Sequence, residues 1–374
     1  MEEEVVKKIK IGLIGCGNIS ELYLKNCSER FDMIEVVACA DMVLEKAKAR
    51  AEQFNIAKAC SVDELLADQE IKIVVNLTIP KAHGDVCIKA LKAGKHVYVE
   101  KPLSISREDA QEVLVLANEK NLLVGGAPDT FLGAGIQTCR KLIDDGWIGQ
   151  PIAATSFMMG IGPETWHPDP EFLYKYGAGP LFDMGPYYLT ALISLLGPVE
   201  SVFALQKISF PERTITSSPK SGQKIIVEVP TYSSGILNFK NGVIGNLITS
   251  FDVCGSQLPH MEIYGSEGTI SVPNPNFFDG PVKILRKGSK EWSEVPLAYG
   301  FTDNIRGLGV ADMACAIIKG RQHRACGELT YHVLDIIHGF SDSALEGKLY
   351  KLDSTCKRPE GFPMGMSERT LDLL

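Results

Sequence analysis

A glycine-rich segment near the N-terminus has the residue types and spacing of a phosphate-binding loop. An apolar run ends in residues 15–20, Gly-Cys-Gly-Asn-Ile-Ser, and a helical pattern follows. Gly15 permits a tight turn, and Gly17 lets the backbone approach a pyrophosphate. The helix that begins at Asn18 and Ile19 then faces the anion with its N-terminus. The third glycine of the dinucleotide-binding fingerprint is absent, because Ser20 stands in its place.

An acidic residue, Asp41, follows the second apolar run, residues 34–40. A carboxylate at this position accepts hydrogen bonds from both ribose hydroxyls of NAD and repels a 2′-phosphate, and no arginine directly follows it. The sequence therefore predicts NAD as the cofactor. An alternative stays open in which Gly15 and Gly17 only form a tight turn and Asp41 caps the next helix.

Polar side chains also follow the other predicted strands of this region. Ligands of open α/β sheets bind beyond the carboxyl ends of the strands, so we expect these side chains to converge beside the cofactor. Two interpretations of His83 stay open: it faces the cofactor cleft, or it only begins its helix. The alternative interpretation of Lys101 is a turn residue that is exposed to solvent. The segments that follow these strands contain Thr78, Ile79, Pro80 and His83, then Glu100, Lys101 and Pro102, and finally Asp129.

Short apolar runs alternate with helical patterns through the first 126 residues, which predicts a parallel sheet built from right-handed βαβ units. Strands are predicted at 8–15, 34–40, 71–77, 96–99 and 122–125, and helices at 19–30, 43–54, 82–93 and 107–118. We therefore expect residues 1–126 to form a Rossmann domain that binds NAD.

The pattern changes after Gly126 to one helix, a loop rich in proline and aromatic residues, another helix, and many alternating strands. Predicted helices cover 130–145, 180–196, 304–319 and 329–346, and predicted strands cover 153–159, 199–210, 224–231, 235–239, 243–251, 261–264, 269–272, 282–286 and 292–295. We expect residues 127–374 to form an α+β domain with a large, mostly antiparallel open sheet that serves substrate binding and oligomerisation. The Pro/Gly-rich stretch 357–366 is expected to cross a surface or a subunit contact.

These motifs resemble those of the Gfo/Idh/MocA oxidoreductases, which include glucose-fructose oxidoreductase and inositol dehydrogenase. The resemblance covers nearly the whole chain, and its most specific motif is Glu100-Lys101-Pro102. We expect the cofactor contacts of these strand ends to be Thr78, Ile79, Pro80, His83, Glu100 and Lys101. The resemblance implies that Lys101 reaches both the nicotinamide and a substrate hydroxyl, that a cis bond precedes Pro102, and that the open sheet forms an oligomer interface.

The second motif of that family, Asp-x-Gly-x-His, departs here to Asp183-Met184-Gly185-Pro186-Tyr187. Asp183 and Tyr187 are four residues apart and therefore share one face of a helix. A lysine ammonium stabilises a neighbouring tyrosinate. Our first hypothesis is that Lys101 and Tyr187 relay the substrate proton and that Asp183 orients them; the alternative for Tyr187 is a core aromatic, and for Asp183 a helix-start residue.

A second candidate for the missing histidine is His167, in the predicted loop before that helix. Histidine titrates near neutral pH and is suited to acid–base catalysis. Trp166 beside it offers an apolar face for stacking on a sugar or an aromatic aglycone, and Asp129 is a further candidate contact for the substrate. The alternative for His167 is an exposed loop residue, and the choice between His167 and Tyr187 stays open.

Length and composition restrict the class of protein. The chain has 374 residues and a formal net charge of −8, which argues against nucleic acid as a partner. No apolar stretch is long enough for a membrane span, and the first ten residues lack the features of a signal peptide. Its ten cysteines are dispersed, which predicts reduced thiols in a cytoplasmic protein and no metal site.

We expect an NAD(H)-dependent oxidoreductase that acts on a secondary hydroxyl of a sugar, glycoside or cyclitol, with sugar carbon 3 and a 3-oxo product as the favoured case. The substrate class follows chiefly from the resemblance. The alternatives are a reductase of an oxo-sugar or oxo-inositol, an NAD-dependent glycoside-cleaving enzyme and a non-catalytic dinucleotide-binding regulator. A homo-oligomer is expected, because the broad sheet face must be covered.

Overall fold

The computed structural model describes residues 8–373, which divide into two compact units. Among these residues, the first unit consists of 8–133, 299–331 and 360–373, and the second of Ala134–Ala298 and His332–Pro359. The first boundary lies close to the predicted one after Gly126. Two later segments return to the first unit, whereas we expected everything after residue 126 in the second domain.

The first unit contains a six-stranded parallel sheet in the order β3-β2-β1-β4-β5-β6. Its interior strands are mostly apolar and mostly buried, as is typical of a parallel sheet covered by helices. The strands are β1 (Ile9–Ile14), β2 (Ile34–Ala40), β3 (Lys58–Cys60), β4 (Ile73–Asn76), β5 (His96–Val99) and β6 (Val124–Gly126). This is the predicted Rossmann architecture, with β3 as an additional edge strand.

Helices connect these strands, and their ends follow ordinary capping chemistry. Ser61 and Glu64 form a capping box at the start of one short helix, and Asn55 ends the preceding helix in a left-handed conformation. The helices are α1 (Asn18–Glu29), α2 (Leu44–Phe54), α3 (Val62–Ala67), α4 (His83–Lys92) and α5 (Arg107–Glu119). The prediction missed α3, which has only six residues.

The second unit begins with α6 (Ala134–Asp144), which is shorter than the predicted helix 130–145. Thr130–Leu132 form a separate 3-10 turn, and the backbone of Gly133 is extended between the two segments. The longer helix α7 (Gly179–Leu196) is largely buried and packs on the sheet of this unit. Both helices therefore cover one face of that sheet.

The sheet of the second unit has nine strands in the order β16-β15-β14-β13-β7-β12-β11-β8-β17. Every neighbouring pair is antiparallel except β7 and β12, so the predicted mostly antiparallel sheet and the α/β class are confirmed. The strands, including a separate pair β9 and β10, are β7 (Pro151–Met159), β8 (Val199–Lys207), β9 (Glu212–Thr214), β10 (Lys224–Ile226), β11 (Tyr232–Phe239), β12 (Ile244–Ser250), β13 (Met261–Gly265), β14 (Gly268–Val272), β15 (Val282–Arg286), β16 (Ser293–Val295) and β17 (Tyr350–Lys351).

The C-terminal part of the chain adds two helices, α8 (Leu308–Lys319) and α9 (Gly327–Glu346). The final segment packs on the first unit through ion pairs. Arg369 contacts Asp32 at 2.5 Å, and Glu368 contacts Arg30 at 3.2 Å. These exposed ion pairs join the final segment to the region just after α1.

The described residues include all ten cysteines, and none of them forms a disulfide. Cys254 is exposed and the others are buried. Within residues 8–373, no helix has the length and apolar character needed to span a bilayer. The same residues hold no group of three or more side chains arranged to bind a metal ion.

Candidate functional site

The carboxyl ends of five parallel strands lie in one row in the first unit. The register pairs Ile14 with Ala40 and with Asn76, Asn76 with Val99, and Val99 with Gly126. The residue that follows each strand therefore lies at the same edge of the sheet. This arrangement places the glycine loop, Asp41, the turn at Thr78 and Glu100-Lys101 beside one another, at the edge where such sheets bind ligands.

The glycine loop connects β1 to α1 through a turn that requires glycine at its first position. Gly15 has φ +101°, and a Cβ added there would lie 2.6 Å from the backbone carbonyl of Leu77. A Cβ on Gly17, by contrast, would meet no heavy atom within 4 Å, so open space lies in front of the first turn of α1. Asn18 and Ile19 form that turn, and the Ser20 hydroxyl donates to the Gly17 carbonyl at 2.6 Å.

The carboxylate of Asp41 accepts two backbone hydrogen bonds, and one of them fixes Asp41 to the glycine loop. The backbone N–H of Cys16 donates to Oδ2 and that of Val43 donates to Oδ1, both at 2.8 Å. The second contact reaches Val43, the residue directly before the first residue of α2, and α2 has no hydrogen bond from a capping side chain. Each carboxylate oxygen has further acceptor capacity for a ribose hydroxyl. The open space at Gly17 and the fixed carboxylate of Asp41 thus fit a dinucleotide with an unmodified ribose.

A hydrogen-bonded turn follows β4. Oδ1 of Asn76 accepts from the N–H and the hydroxyl of Thr78, at 3.2 and 2.7 Å, and Nδ2 donates to the carbonyl of His83 at 3.1 Å. These bonds fix the conformation of the chain ahead of Ile79, which is exposed, and Pro80, which begins a 3-10 turn. The turn therefore presents Thr78 and Ile79 at the edge of the sheet.

His83 is the first residue of α4 and is buried between two turns. Its Nδ1 lies 2.6 Å from the carbonyl oxygen of Pro102, and its Nε2 lies 3.0 Å from that of Thr78. Burial lowers the pKa of the imidazole, and the two carbonyls oppose that shift. The ring joins the Thr78 and Pro102 turns, and its predicted cofactor contact stays a prediction.

The Glu100-Lys101-Pro102 segment follows β5, and the Lys101–Pro102 peptide is cis, as the family resemblance implied. Oε1 of Glu100 accepts the hydroxyl of Tyr23 on α1, and Oε2 accepts the backbone N–H of Lys101, both at 2.9 Å. Burial, together with Glu100, raises the pKa of Tyr23, so this hydroxyl stays protonated and keeps donating. Two donors thus fix Glu100, and through it the backbone at Lys101.

Asp129 lies beyond β6 and is 1% exposed. Its Oδ2 accepts the N–H groups of Gly307 and Gly309, at 2.9 and 3.0 Å, at the N-terminus of α8. Burial raises the pKa of this carboxyl to about 6, although the two N–H groups and Arg306 oppose the shift. The structure therefore gives Asp129 a helix-capping role, and its predicted contact with substrate stays a prediction.

The candidate substrate residues of the second unit lie on α7 and on the loop before it. Asp183 and Tyr187 are one helical turn apart, as their spacing predicted; Asp183 is half-buried and Tyr187 is 8% exposed. Trp166 is 66% exposed. A large aromatic side chain held at the surface is available for contact with a ligand.

The half-buried ring of His167 lies between two aromatic side chains, edge-on to Trp166 and to Phe172, with 5.4 Å between ring centroids in each case. Its Nδ1 accepts the backbone N–H of Asp169 at 3.0 Å. A neutral imidazole whose Nδ1 accepts carries its proton on Nε2. His167 is therefore arranged to donate a hydrogen bond from Nε2.

Sequence reasoning missed several residues that shape these turns. Tyr23 occupies a position on α1 that looks like an ordinary apolar core site, and Asn76 lies inside a buried strand. An asparagine within an otherwise apolar run was the one available signal, because a buried polar side chain requires hydrogen-bond partners.

Two family models match the chain. Residues 9–126 match the model described as "Oxidoreductase family, NAD-binding Rossmann fold", and residues 136–271 match the "GFO/IDH/MocA C-terminal domain". The chain therefore belongs to the Gfo/Idh/MocA oxidoreductase family. This result confirms the predicted family and the NAD cofactor.

Among curated relatives, the 1,5-anhydro-D-fructose reductase of Ensifer adhaerens is 29% identical over 324 residues, which are 85% of this chain and 90% of that protein. The inositol 2-dehydrogenase of Salmonella typhimurium is 28% identical over 171 residues, 45% of this chain and 51% of that protein. The chain spans about half the length of the first curated relatives it matches.

Among solved structures, a levoglucosan dehydrogenase in complex with NADH and L-sorbose has the same fold, with a TM-score of 0.80 at 20% identity. The match covers 93% of this chain and all of the other. It shows that both halves of the chain have the architecture of a known dehydrogenase.

Proposed function

We propose that this protein is an NAD(H)-dependent oxidoreductase that transfers a hydride between a secondary hydroxyl of a sugar, glycoside or cyclitol and nicotinamide. The observation that carries the proposal is the row of strand ends that brings the glycine loop, Asp41 and Lys101 to one edge of the sheet. The substrate class is supported by the names of the relatives, an anhydrofructose reductase and an inositol dehydrogenase.

In the proposed site, Gly17, Asn18 and Ile19 bind the pyrophosphate through the N-terminus of α1, and Asp41 binds the adenosine ribose. Thr78, Ile79, Pro80 and His83 line the cofactor groove, and Glu100 fixes the backbone at Lys101. When bound, the nicotinamide ring supplies the hydride acceptor or donor.

The chain's own task in this reaction is to orient the alcohol and to move its proton. Lys101 and Tyr187 relay the hydroxyl proton, and Asp183 orients them. Trp166 stacks on the sugar ring, and His167 donates to a sugar oxygen from Nε2. Among the ring hydroxyls we favour carbon 3, because a 3-oxo group acidifies the neighbouring C–H and permits later elimination of a glycosidic group.

A panel of sugars, glycosides and inositols tests this function, with NAD and purified protein and with absorbance of the reduced nicotinamide as the readout. We expect at least one member to give NADH, and NMR of the product to place the carbonyl at carbon 3. NADH from a cyclitol or from another ring position would revise the substrate, and no NADH from any member in either direction would overturn the function. Release of an aglycone without net NADH would indicate glycoside cleavage.

The reverse direction, reduction of an oxo-sugar, is the second candidate. With Nδ1 accepting from Asp169, the neutral imidazole of His167 donates a hydrogen bond from Nε2, and this donor suits a carbonyl oxygen, which can only accept. The relative from Ensifer adhaerens is likewise named a reductase. Initial rates with NADH and an oxo-sugar, compared with NAD and the alcohol at the same pH, separate the two directions.

We also propose that the protein forms a homo-oligomer through the open face of the nine-stranded sheet. Phe203 and Leu205 of β8 and Ile236 of β11 are exposed on neighbouring strands, and Phe203 pairs directly with Ile236. With Ile248 of β12 they line a shallow cleft of about 280 Å³. A contiguous apolar patch on a sheet face is typical of a protein interface.

A further inference from the structure

An ionic network lies in the interior of the second unit, outside the proposed catalytic residues. The guanidinium of Arg213 on β9 contacts Oε1 of Glu164 at 2.6 Å and also contacts the carboxylate of Asp252. All three side chains are less than a tenth exposed. One guanidinium thus forms ion pairs with two buried carboxylates. This arrangement differs from an isolated ion pair at the surface, because all three charges are removed from water.

Glu164 belongs to the loop that carries Trp166 and His167, and it is bound at both its side chain and its backbone. The Tyr174 hydroxyl donates to Oε2, while Oε1 contacts Arg213. The carbonyl of Glu164 accepts the N–H groups of Thr216 and Ser217, at 2.9 and 3.1 Å. The loop is therefore fixed at the residue two positions before Trp166.

A short path connects this network to His167. The hydroxyl of Ser217 donates to the carbonyl of His167 at 2.5 Å, and the N–H of the same serine donates to Glu164. On the other side, Asp252 accepts the hydroxyl of Thr231 at 2.8 Å. The conformation of His167 is thus linked to Arg213 through hydrogen bonds and not only through the covalent chain.

Two aromatic rings pack against the cation of the network. The ring of Tyr174 lies under the guanidinium of Arg213 at 5.4 Å, and the ring of Phe210 lies at 5.5 Å. Tyr174 belongs to a small cluster of buried side chains, which also contains Ile215, Ile225, Val227 and Phe251. Low local polarity strengthens each charge contact and makes the loss of one partner costly.

We propose that Arg213 is a positioning residue that fixes the loop bearing Trp166 and His167 in its substrate-binding conformation. The inference rests on the proposed function, because it assigns the loop to the substrate. The loop has little regular structure of its own, since it contains only two short 3-10 turns. Its exposed aromatic side chains therefore depend on buried contacts such as those of Arg213 for a fixed orientation.

The fluorescence of Trp166 tests this inference without any substrate. The chain has three tryptophans, so Trp147→Phe with Trp292→Phe leaves Trp166 as the single reporter. In this background, Arg213→Lys keeps a positive charge but cannot bind both carboxylates as the planar guanidinium does. We expect the acrylamide quenching constant of Trp166 to rise about twofold or more, because the loop loses its fixed contacts.

Steady-state kinetics then separates positioning from a general loss of structure. For Arg213→Lys we expect KM for the sugar to rise about tenfold, with kcat within about threefold and NAD affinity unchanged, because a substrate contact is lost. Lys220→Gln is the matched control, since it removes the exposed pair with Asp169 of the same loop, at 2.6 Å. The control should leave quenching and KM unchanged.

Ser217→Ala provides a second test if Arg213→Lys does not fold. This substitution leaves the charged groups of Arg213, Glu164 and Asp252 in place. It removes the bond to the His167 carbonyl and should raise quenching and KM in the same direction, by about twofold. Folded variants with the quenching and KM of the parent protein would overturn the inference. If no sugar gives NADH but quenching still differs, the proposed function fails, and the fixation of the loop by Arg213 stands.

Discussion

Tyr23 donates its hydroxyl to Glu100 at 2.9 Å, from the first helix of the Rossmann unit to the residue directly before Lys101. The same carboxylate accepts the N–H of Lys101 at 2.9 Å, so the two contacts form one short chain. A residue with no chemical role of its own thereby determines where the lysine backbone lies. Tyr23 is fully buried, so its hydroxyl cannot be replaced by bulk water.

Replacing Tyr23 with Phe should therefore weaken both the fold and the proposed catalysis. An acceptor left without its donor in a buried site costs about 1–3 kcal/mol of unfolding free energy. We also expect kcat to fall about tenfold, because a small displacement of a catalytic group lowers the rate of the reaction strongly. Denaturant unfolding and initial rates measure the two effects.

Tyr98→Phe is the matched control for this prediction. Its hydroxyl is equally buried and has no hydrogen-bond partner among residues 8–373. Removing a buried, unsatisfied hydroxyl should leave stability unchanged or raise it by up to about 1 kcal/mol. If the two variants behave alike, the Tyr23–Glu100 contact does not have the role we give it.

Asp41 should determine the preference for NAD over NADP. Asp41→Ala removes a charged acceptor of the ribose hydroxyls, a loss of about 1.5–3 kcal/mol that corresponds to roughly 10–100-fold in the dissociation constant of NADH. The affinity for NADPH should rise or stay unchanged, because the repulsion of a 2′-phosphate is also removed. Nucleotide titrations followed by fluorescence give both constants.

Asp41→Asn serves as the control, because it keeps one acceptor oxygen while losing the charge. We expect its affinity for NADH to lie between those of the parent and Asp41→Ala. A parent protein that binds NADPH as tightly as NADH would contradict the assignment of Asp41.

Asp129 should make stability depend on pH in a defined window. Burial raises the pKa of this carboxyl to about 6 in the folded protein, from 3.8. The folded state therefore binds more protons than the unfolded state between these two values. The contribution of Asp129 to the unfolding free energy is therefore fully present below about pH 4 and is lost as the pH rises through about 6. The expected loss is about 3 kcal/mol, at 1.36 kcal/mol per unit of pKa difference.

Asp129→Asn isolates that contribution, because the amide oxygen can still accept from Gly307 and Gly309 without titrating. The unfolding free energy of the parent relative to this variant should fall between pH 4 and 6 and stay level above that range. If the unfolding free energies of the parent protein and of Asp129→Asn change with pH in the same way, the Asp129 carboxyl does not titrate between pH 4 and 6.

The proposed sheet interface should be sensitive to charge. A glutamate at Leu205 or Ile236 would be desolvated without a partner on association, so we expect the oligomer to dissociate into monomers with unchanged secondary structure. Light scattering after size-exclusion chromatography measures the mass. Ile226→Glu, an equally exposed isoleucine on β10, should leave the mass unchanged. A mutant at Leu205 that keeps the parent mass would place any interface elsewhere.

The Rossmann half could be predicted from the sequence because most of its strands are short apolar runs that alternate with helical patterns. The edge strand Lys58–Cys60 escaped prediction, since three residues show no periodicity. The Arg213 network could not be predicted either. Its partners lie 49 and 39 residues away along the chain, and nothing local distinguishes them from surface ion pairs.

Mutation separates the proposed roles of Lys101, Tyr187 and His167. Lys101→Ala should lower kcat by roughly 10²–10⁴-fold, the usual contribution of a positioned acid or base, with NAD affinity nearly unchanged. Turnover close to that of the parent would exclude a role for this lysine in proton transfer. Asp183→Asn should lower kcat less, because it only orients the relay.

Tyr187→Phe and His167→Ala then distinguish the two candidates for the proton relay. If Tyr187 acts with Lys101, Tyr187→Phe should lower kcat and change the shape of the pH–rate profile. His167→Ala should mainly raise KM, because it removes a hydrogen bond to the sugar and not the relay. An unchanged pH profile in Tyr187→Phe, together with a changed one in His167→Ala, would transfer the proton-relay role to the histidine.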